Sequence, residues 1–156
     1  AIFQDFSDMT IKIITHAPRE TIKAAAEIGR LLQKGDIIAY KGDLGAGKTT
    51  FTRGLALGLG LGDVVCSPTF SLVNEYIGEN INLYHFDMYR IESEFDLESS
   101  GFYDYDFDNN IAAVEWSENI EKYLSGKIIN ITINTLSELE REIILEGDER
   151  FASAWN

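Results

Sequence analysis

The sequence predicts an α/β fold: a mostly parallel sheet flanked by helices and finished by an antiparallel C-terminal hairpin. Three observations predict it. Short apolar runs, DIIAY at Asp36 to Tyr40 and IAAV at Ile111 to Val114, are of the kind that a parallel sheet buries on both faces. Helical patterns stand between such runs. The last apolar stretch, Ile129 to Asn134, alternates apolar and polar residues, and Arg141 to Glu146 can pair with it across a polar turn. With 156 residues, 45% of them hydrophobic, and only two prolines, the chain shows no repeat, spacer or shift of composition. Residues 1–156 are therefore expected to form a single domain.

Taken in order, Ile11 to Thr15 reads as a short strand. Pro18 suits the first turn of a helix running to about Gln33, with Gly35 as its stop and Ile22, Ala25, Ala26, Gly29 and Leu32 on one face. After the strand Asp36 to Tyr40 comes a glycine-rich turn, then a helix that begins near Lys48 and buries Phe51, Leu55 and Leu59. Gly54 and Gly58 within that helix cost propensity and signal the close approach of another backbone. Val64 to Cys66 and Leu72 to Ile77 are candidate strands, and Ile81 to Phe86, ending at Asp87, is a clearer one. Ser93 with Asp96 resembles a capping box for a short helix that stops at Gly101. The strand Ile111 to Val114 ends at Glu115, and a helix from about Ser117 to Leu124 is expected after it.

Chemistry enters at the glycine-rich turn. Gly42, Asp43, Leu44, Gly45, Ala46, Gly47, Lys48 and Thr49 read GxxxxGKT between a strand and a helix, the context that gives this motif its meaning. Glycines allow an open turn whose consecutive N–H groups point at an anion, and the helix start adds partial positive charge. Lys48 would bridge the β- and γ-phosphates of ATP, the Thr49 hydroxyl would complete a Mg²⁺ shell, and Thr50 would reach the α-phosphate. The fold is thus P-loop NTPase-like. A further acidic group is needed near the metal, and Asp87 and Glu115 are the candidates, since both emerge where an apolar strand ends. A competing pattern sets Asp104, Asp106, Asp108 and Glu115 at positions of a calcium-binding loop, but Asn109 stands where that loop needs glycine. The stretch GFYDYDFD is better read as an aromatic, acidic surface segment suited to meeting a partner.

Composition limits the partners. Twenty-six acidic residues against 13 basic give a net charge of -13, which repels a phosphate backbone and disfavours extensive direct contact with nucleic acid. The acidity serves either solubility or docking on a basic partner. One cysteine, Cys66, and two histidines supply neither an internal disulfide nor metal-ligand spacing. No apolar run is long enough to cross a membrane, and the expected location is the cytoplasm.

GDLGAGKTT, then SPTF at Ser67 to Phe70, YHFDMYR at Tyr84 to Arg90, and EW at Glu115 and Trp116 occur in this order. Together they resemble the TsaE family over roughly Leu31 to Leu124. The resemblance implies the ATPase of bacterial tRNA threonylcarbamoyladenosine biosynthesis, acting with TsaD and TsaB on the adenosine next to certain anticodons and meeting tRNA only through those partners. It implies that Asp87 is the Walker B-like acid and that Glu115 acts near the metal or the attacking water. It also implies that Ser67 and Thr69 respond to the γ-phosphate, and it sets Trp116 among the nucleotide-contacting residues. ADP would be the product. A GTPase would need an NKxD segment, which the sequence lacks. The alternative, a P-loop kinase of a small molecule, would need a basic lid, for which the motif-bearing region offers only Arg53 and Arg90.

Overall fold

The computed structural model of the chain describes residues 9–43, 47–61 and 73–153. Its elements follow in the order β1 (Met9–Thr15), α1 (Pro18–Gly29), β2 (Asp36–Gly42), α2 (Lys48–Gly58), β3 (Val73–Tyr76), β4 (Leu83–Asp87), α3 (Glu94–Ser99), β5 (Ile111–Glu115), β6 (Lys127–Thr135) and β7 (Arg141–Gly147). The described strands form one sheet in the order β1-β7-β6-β2-β5-β4-β3. Its centre is parallel, with β2 between β5 and β6 and β4 beside β5. Both edges are antiparallel, through β3 on one side and the β6–β7 hairpin with β1 on the other.

The runs that are apolar throughout are the central strands. In β2, β4 and β5 successive residues are buried on both sides of the sheet, whereas β6 and β7 alternate, as the two kinds of sequence pattern require. One face carries Ile38, Tyr40, Ala113, Ile131, Ile133 and Leu145 against α1 and α2. The other carries Ile37, Tyr84, Phe86, Ala112 and Val114 against Leu97 of α3 and Phe102.

The backbone that approaches Gly54 and Gly58 belongs to α1. A Cβ on Gly54 would lie 2.5 Å from Ala25 Cβ and 2.6 Å from Ile22 O, and one on Gly58 would collide with Ala26 O. We expect Gly54→Ala to lower the urea midpoint, because overpacking costs about 1–3 kcal/mol and outweighs a helix-propensity gain of about 1 kcal/mol. An unchanged or raised midpoint would contradict the close packing. This contact also rotates α1 from its expected orientation. Thr21, Ala24, Ala25, Ile28 and Gly29 are buried, while Ile22 and Ala26 are half-buried and lie over the glycines of α2.

Two helices are shorter than the sequence suggested. α1 stops at Gly29, and its last turn tightens through Leu31 N–H to Ile28 O and Leu32 N–H to Gly29 O. The expected helix after Glu115 is a pair of 3-10 turns, Ser117–Asn119 and Glu121–Tyr123. Ile120 separates them: its side chain is fully buried and its backbone, at φ -128°, lies outside the helical range. Ser93, by contrast, caps α3 as expected, accepting the Asp96 N–H at 3.1 Å. The C-terminal segment is anchored, with Phe151 buried and the Arg150 guanidinium clamping Asp36 at 2.7 and 2.8 Å. The fully buried Asp36 carboxylate also accepts the Gln33 N–H, so its charge is both paired and hydrogen-bonded.

Candidate functional site

The strand β2 runs two residues past Tyr40, so Lys41 and Gly42 still belong to the sheet and deliver the chain to the glycine-rich turn. Gly42 has φ 109°, and a Cβ there would strike the Ile133 carbonyl of β6. Asp43 holds the turn in place, donating its N–H to Ile133 O at 3.1 Å and accepting the Thr135 N–H on Oδ2 at 2.9 Å. At the far end Gly47, φ 99°, caps α2, and no acidic residue stands in that helix's first turn to offset its positive end. Lys48 and Thr50 are half-buried there and Thr49 is exposed. Leu44, Gly45 and Ala46 lie outside the described residues.

A buried hydrogen-bonded chain fixes the helix start against the sheet. Thr52 Oγ1 donates to Lys48 O at 2.8 Å, so the Tyr40 hydroxyl, 2.7 Å from Thr52 Oγ1, must be the donor to it. Burial raises the Tyr40 phenol above its ordinary value, outweighing the lowering effect of its hydrogen bond with Thr52, and this keeps the proton in place.

Asp87 and Glu115 end adjacent parallel strands as register partners. Period-two alternation puts both on the face covered by α1 and α2, together with His85 and Ala113. Asp87 is exposed, and its Oδ1 accepts the Tyr89 N–H at 3.0 Å. Glu115 is 22% exposed, with Oε2 2.8 Å from Nε2 of the buried His85. Burial pushes the Glu115 carboxyl up, but His85 and, after it, the Lys48 ammonium outweigh that and hold the group below the usual carboxylate range. Glu115 therefore stays ionised at neutral pH and shares its field with the lysine of the turn.

The two strand ends are tied together. Met88 N–H donates to Glu115 O at 3.0 Å, and the Asn119 side chain donates to Met88 O at 2.9 Å. Trp116 turns the chain with φ 58°, unusual for a bulky residue, and its ring meets that of Tyr89 at 5.0 Å between centroids. Strain of this kind concentrates at functional sites.

A cavity of about 280 Å³ opens between these elements, lined by Tyr40, Lys41, Gly42, Lys48, Trp116 and Glu118. A smaller one, about 50 Å³, touches the other side of the turn at Gly47 and Thr50 and reaches Pro18, Thr21, Leu139 and Arg141. A broader concavity, about 960 Å³, lies at the opposite end of the sheet beside Met9, Lys127 and Arg150 and is lined by none of the described motif residues. Chemistry outweighs size here, since the 280 Å³ cavity has Lys48 and the start of α2 in its lining, with Trp116, the neighbour of the ionised Glu115, beside them.

Gly42, Asp43, Gly47, Lys48, Thr49, Thr50, Asp87, Glu115 and Trp116 thus gather at the carboxyl ends of β2, β4 and β5. Ser67 and Thr69 lie outside the described residues, as do Pro68, Phe70 and the candidate strand Val64 to Cys66. The residues of the calcium-like pattern fall in separate elements. Asp104 ends a 3-10 turn, Asp106 binds the Asn109 amide and side chain in a loop, and Glu115 ends β5. Tyr40, Lys41, His85 and Glu118 joined the site unforeseen. The strand pattern alone could have flagged His85, a polar residue two places before Asp87 in an otherwise apolar run.

The family model for threonylcarbamoyl adenosine biosynthesis protein TsaE matches residues 15–143. The chain belongs to the TsaE family. Among similar proteins, a Bacillus subtilis tRNA threonylcarbamoyladenosine biosynthesis protein TsaE is 41% identical over 133 residues, covering 85% of this chain and 83% of that one. A TsaE protein of Treponema pallidum, bearing the same full name, is 34% identical over 133 residues, covering 85% and 98%. A crystal structure of Bacillus subtilis YdiB superposes with a TM-score of 0.70 at 32% identity, covering 94% of this chain and 92% of that one. The TsaE match spans all the motifs from which the resemblance was read, and the structural match supports the parallel sheet with antiparallel edges.

Proposed function

We propose that the chain binds and hydrolyses ATP as an accessory protein in the threonylcarbamoyladenosine modification of tRNA, working with TsaD and TsaB in the cytoplasm and meeting tRNA only through them. The observation that carries the catalytic part is the convergence of Lys48 and an ionised Glu115 on the carboxyl end of one parallel sheet. Family membership supports the pathway. The net charge of -13 supports indirect contact with tRNA, and among the described residues no helix is long and apolar enough to cross a membrane.

In this reading the N–H groups of the turn and the positive end of α2 receive the phosphates, and Lys48 bridges β and γ. Thr49, Asp87 and Glu115 offer hydroxyl and carboxylate oxygens, a hard donor set that fits Mg²⁺. Bound there, the ion would neutralise phosphate charge. Asp87, exposed at the end of β4, is the better placed to hold it. Glu115, more enclosed and kept ionised, would accept a hydrogen bond from the attacking water and aim its lone pair at the γ-phosphorus. Trp116 would wall the cavity beside it.

Phosphate release from Mg·ATP, measured with and without the TsaB and TsaD complex and with small phosphate acceptors, tests this. Slow release alone that rises with the complex is expected. Stoichiometric transfer to a small acceptor would instead establish the kinase alternative.

A further inference from the structure

Of the two histidines, His16 is exposed and His85 is only 4% exposed. His85 stands in β4 two residues before Asp87, its ring 6.0 Å from that of Tyr40 in an edge arrangement. Its Nε2 lies 2.8 Å from Glu115 Oε2 in a short contact that is not aligned along a hydrogen-bond axis, and its Nδ1 has no hydrogen-bond partner among the described residues. A buried imidazole is costly where the neighbouring strand positions take Leu83, Tyr84 and Phe86, so a polar group retained at this position calls for a reason. What it touches is the carboxylate assigned to the water.

We propose that His85 is a positioning residue, which through Nε2 holds the Glu115 carboxylate in the orientation that aims the attacking water at the terminal phosphate. The inference rests on the reading of Glu115 given above. A glutamate at the end of a strand, partly open to solvent, has several rotamers available, and catalysis suffers when a reacting group strays by even about 1 Å. The imidazole has little such freedom, being buried in β4 with its ring in an edge arrangement against that of Tyr40. The rigid partner therefore sets the mobile one. Nδ1 takes no part in this, so the effect belongs to one nitrogen of the ring.

Single-turnover hydrolysis and equilibrium Mg·ATP binding, compared across variants, test it. His85→Ala is expected to slow cleavage about 10–100-fold, the usual scale for supports of a catalytic ligand, while Mg·ATP affinity changes by less than about threefold. His85→Gln, whose amide can place a donor near the Nε2 position, should recover most of the rate, and His85→Asn, which imitates Nδ1, should not. In a Glu115→Gln background His85→Ala should have no further effect. Wild-type cleavage by His85→Ala, equal rates for the Gln and Asn variants, or independent multiplying effects with Glu115→Gln would overturn the proposal. The Gln and Asn pair decides the matter even if the alanine variant fails to fold. Normal cleavage by Glu115→Gln alone would overturn the underlying reading, whereas slow Glu115→Gln beside normal His85→Ala would overturn only this inference.

Discussion

Lys48→Ala is expected to weaken ATP binding about 10–100-fold while leaving the nucleotide-free fold nearly unchanged. The magnitude follows from removing a charge-assisted contact to phosphate, about 1.5–3 kcal/mol, at 1.4 kcal/mol per tenfold in affinity. The fold should tolerate the change because Lys48 contributes to no core cluster, and the anchor of the helix start is its backbone carbonyl, held by Thr52. Alanine keeps that carbonyl. Surface changes away from such features usually fall within about 0.5 kcal/mol. Calorimetric titration with Mg·ATP, alongside thermal unfolding without nucleotide, reads both halves. Wild-type affinity would remove Lys48 from the site, and a collapse of folding would show that its side chain supports the helix start.

Glu115→Gln should retain ATP yet slow its cleavage by about 100-fold or more, the contribution expected of a group that directs a proton-bearing nucleophile. The substitution conserves shape and removes the charge that orients the water. Asp87→Asn should differ in kind. Its carboxylate sits exposed at the end of β4, where the loss would be felt in Mg²⁺-dependent binding before it is felt in the chemical step. Single-turnover measurements that reverse this order would exchange the two roles. Normal cleavage in both variants would remove both residues from the site.

The features of the fold and site that were legible in the sequence are those governed by short-range rules. The central strands were legible because a strand buried on both faces must be apolar throughout, and β2 and β5 obey that. The turn before α2 was legible because phosphate binding needs glycine conformations at fixed offsets from a lysine, and Gly42 and Gly47 do adopt positive φ. Asp87 and Glu115 were legible as strand ends. What escaped depended on tertiary neighbours. Nothing local distinguishes Ile22 from Thr21 as the inward residue of α1, because the choice is made by the glycines of α2. The break at Ile120 is likewise made by a core that pulls its side chain inward, against a pattern that reads as helical. His85 escaped for a related reason. His85 lies within YHFDMYR, but its neighbours in the sequence give it no role, and only the fold sets it against Glu115.

The most direct test of the central claim is a crystal structure of the chain with Mg²⁺ and a nonhydrolysable ATP analogue. Phosphates are expected to be enclosed by residues 42–50, with Lys48 on the β- and γ-oxygens. The metal is expected among Thr49 and the carboxylates of Asp87 and Glu115, with a water seated on Glu115 in line with the γ-phosphorus. Nucleotide bound instead in the broad groove beside Lys127 and Arg150, or phosphates beyond water-bridged reach of both carboxylates, would contradict it.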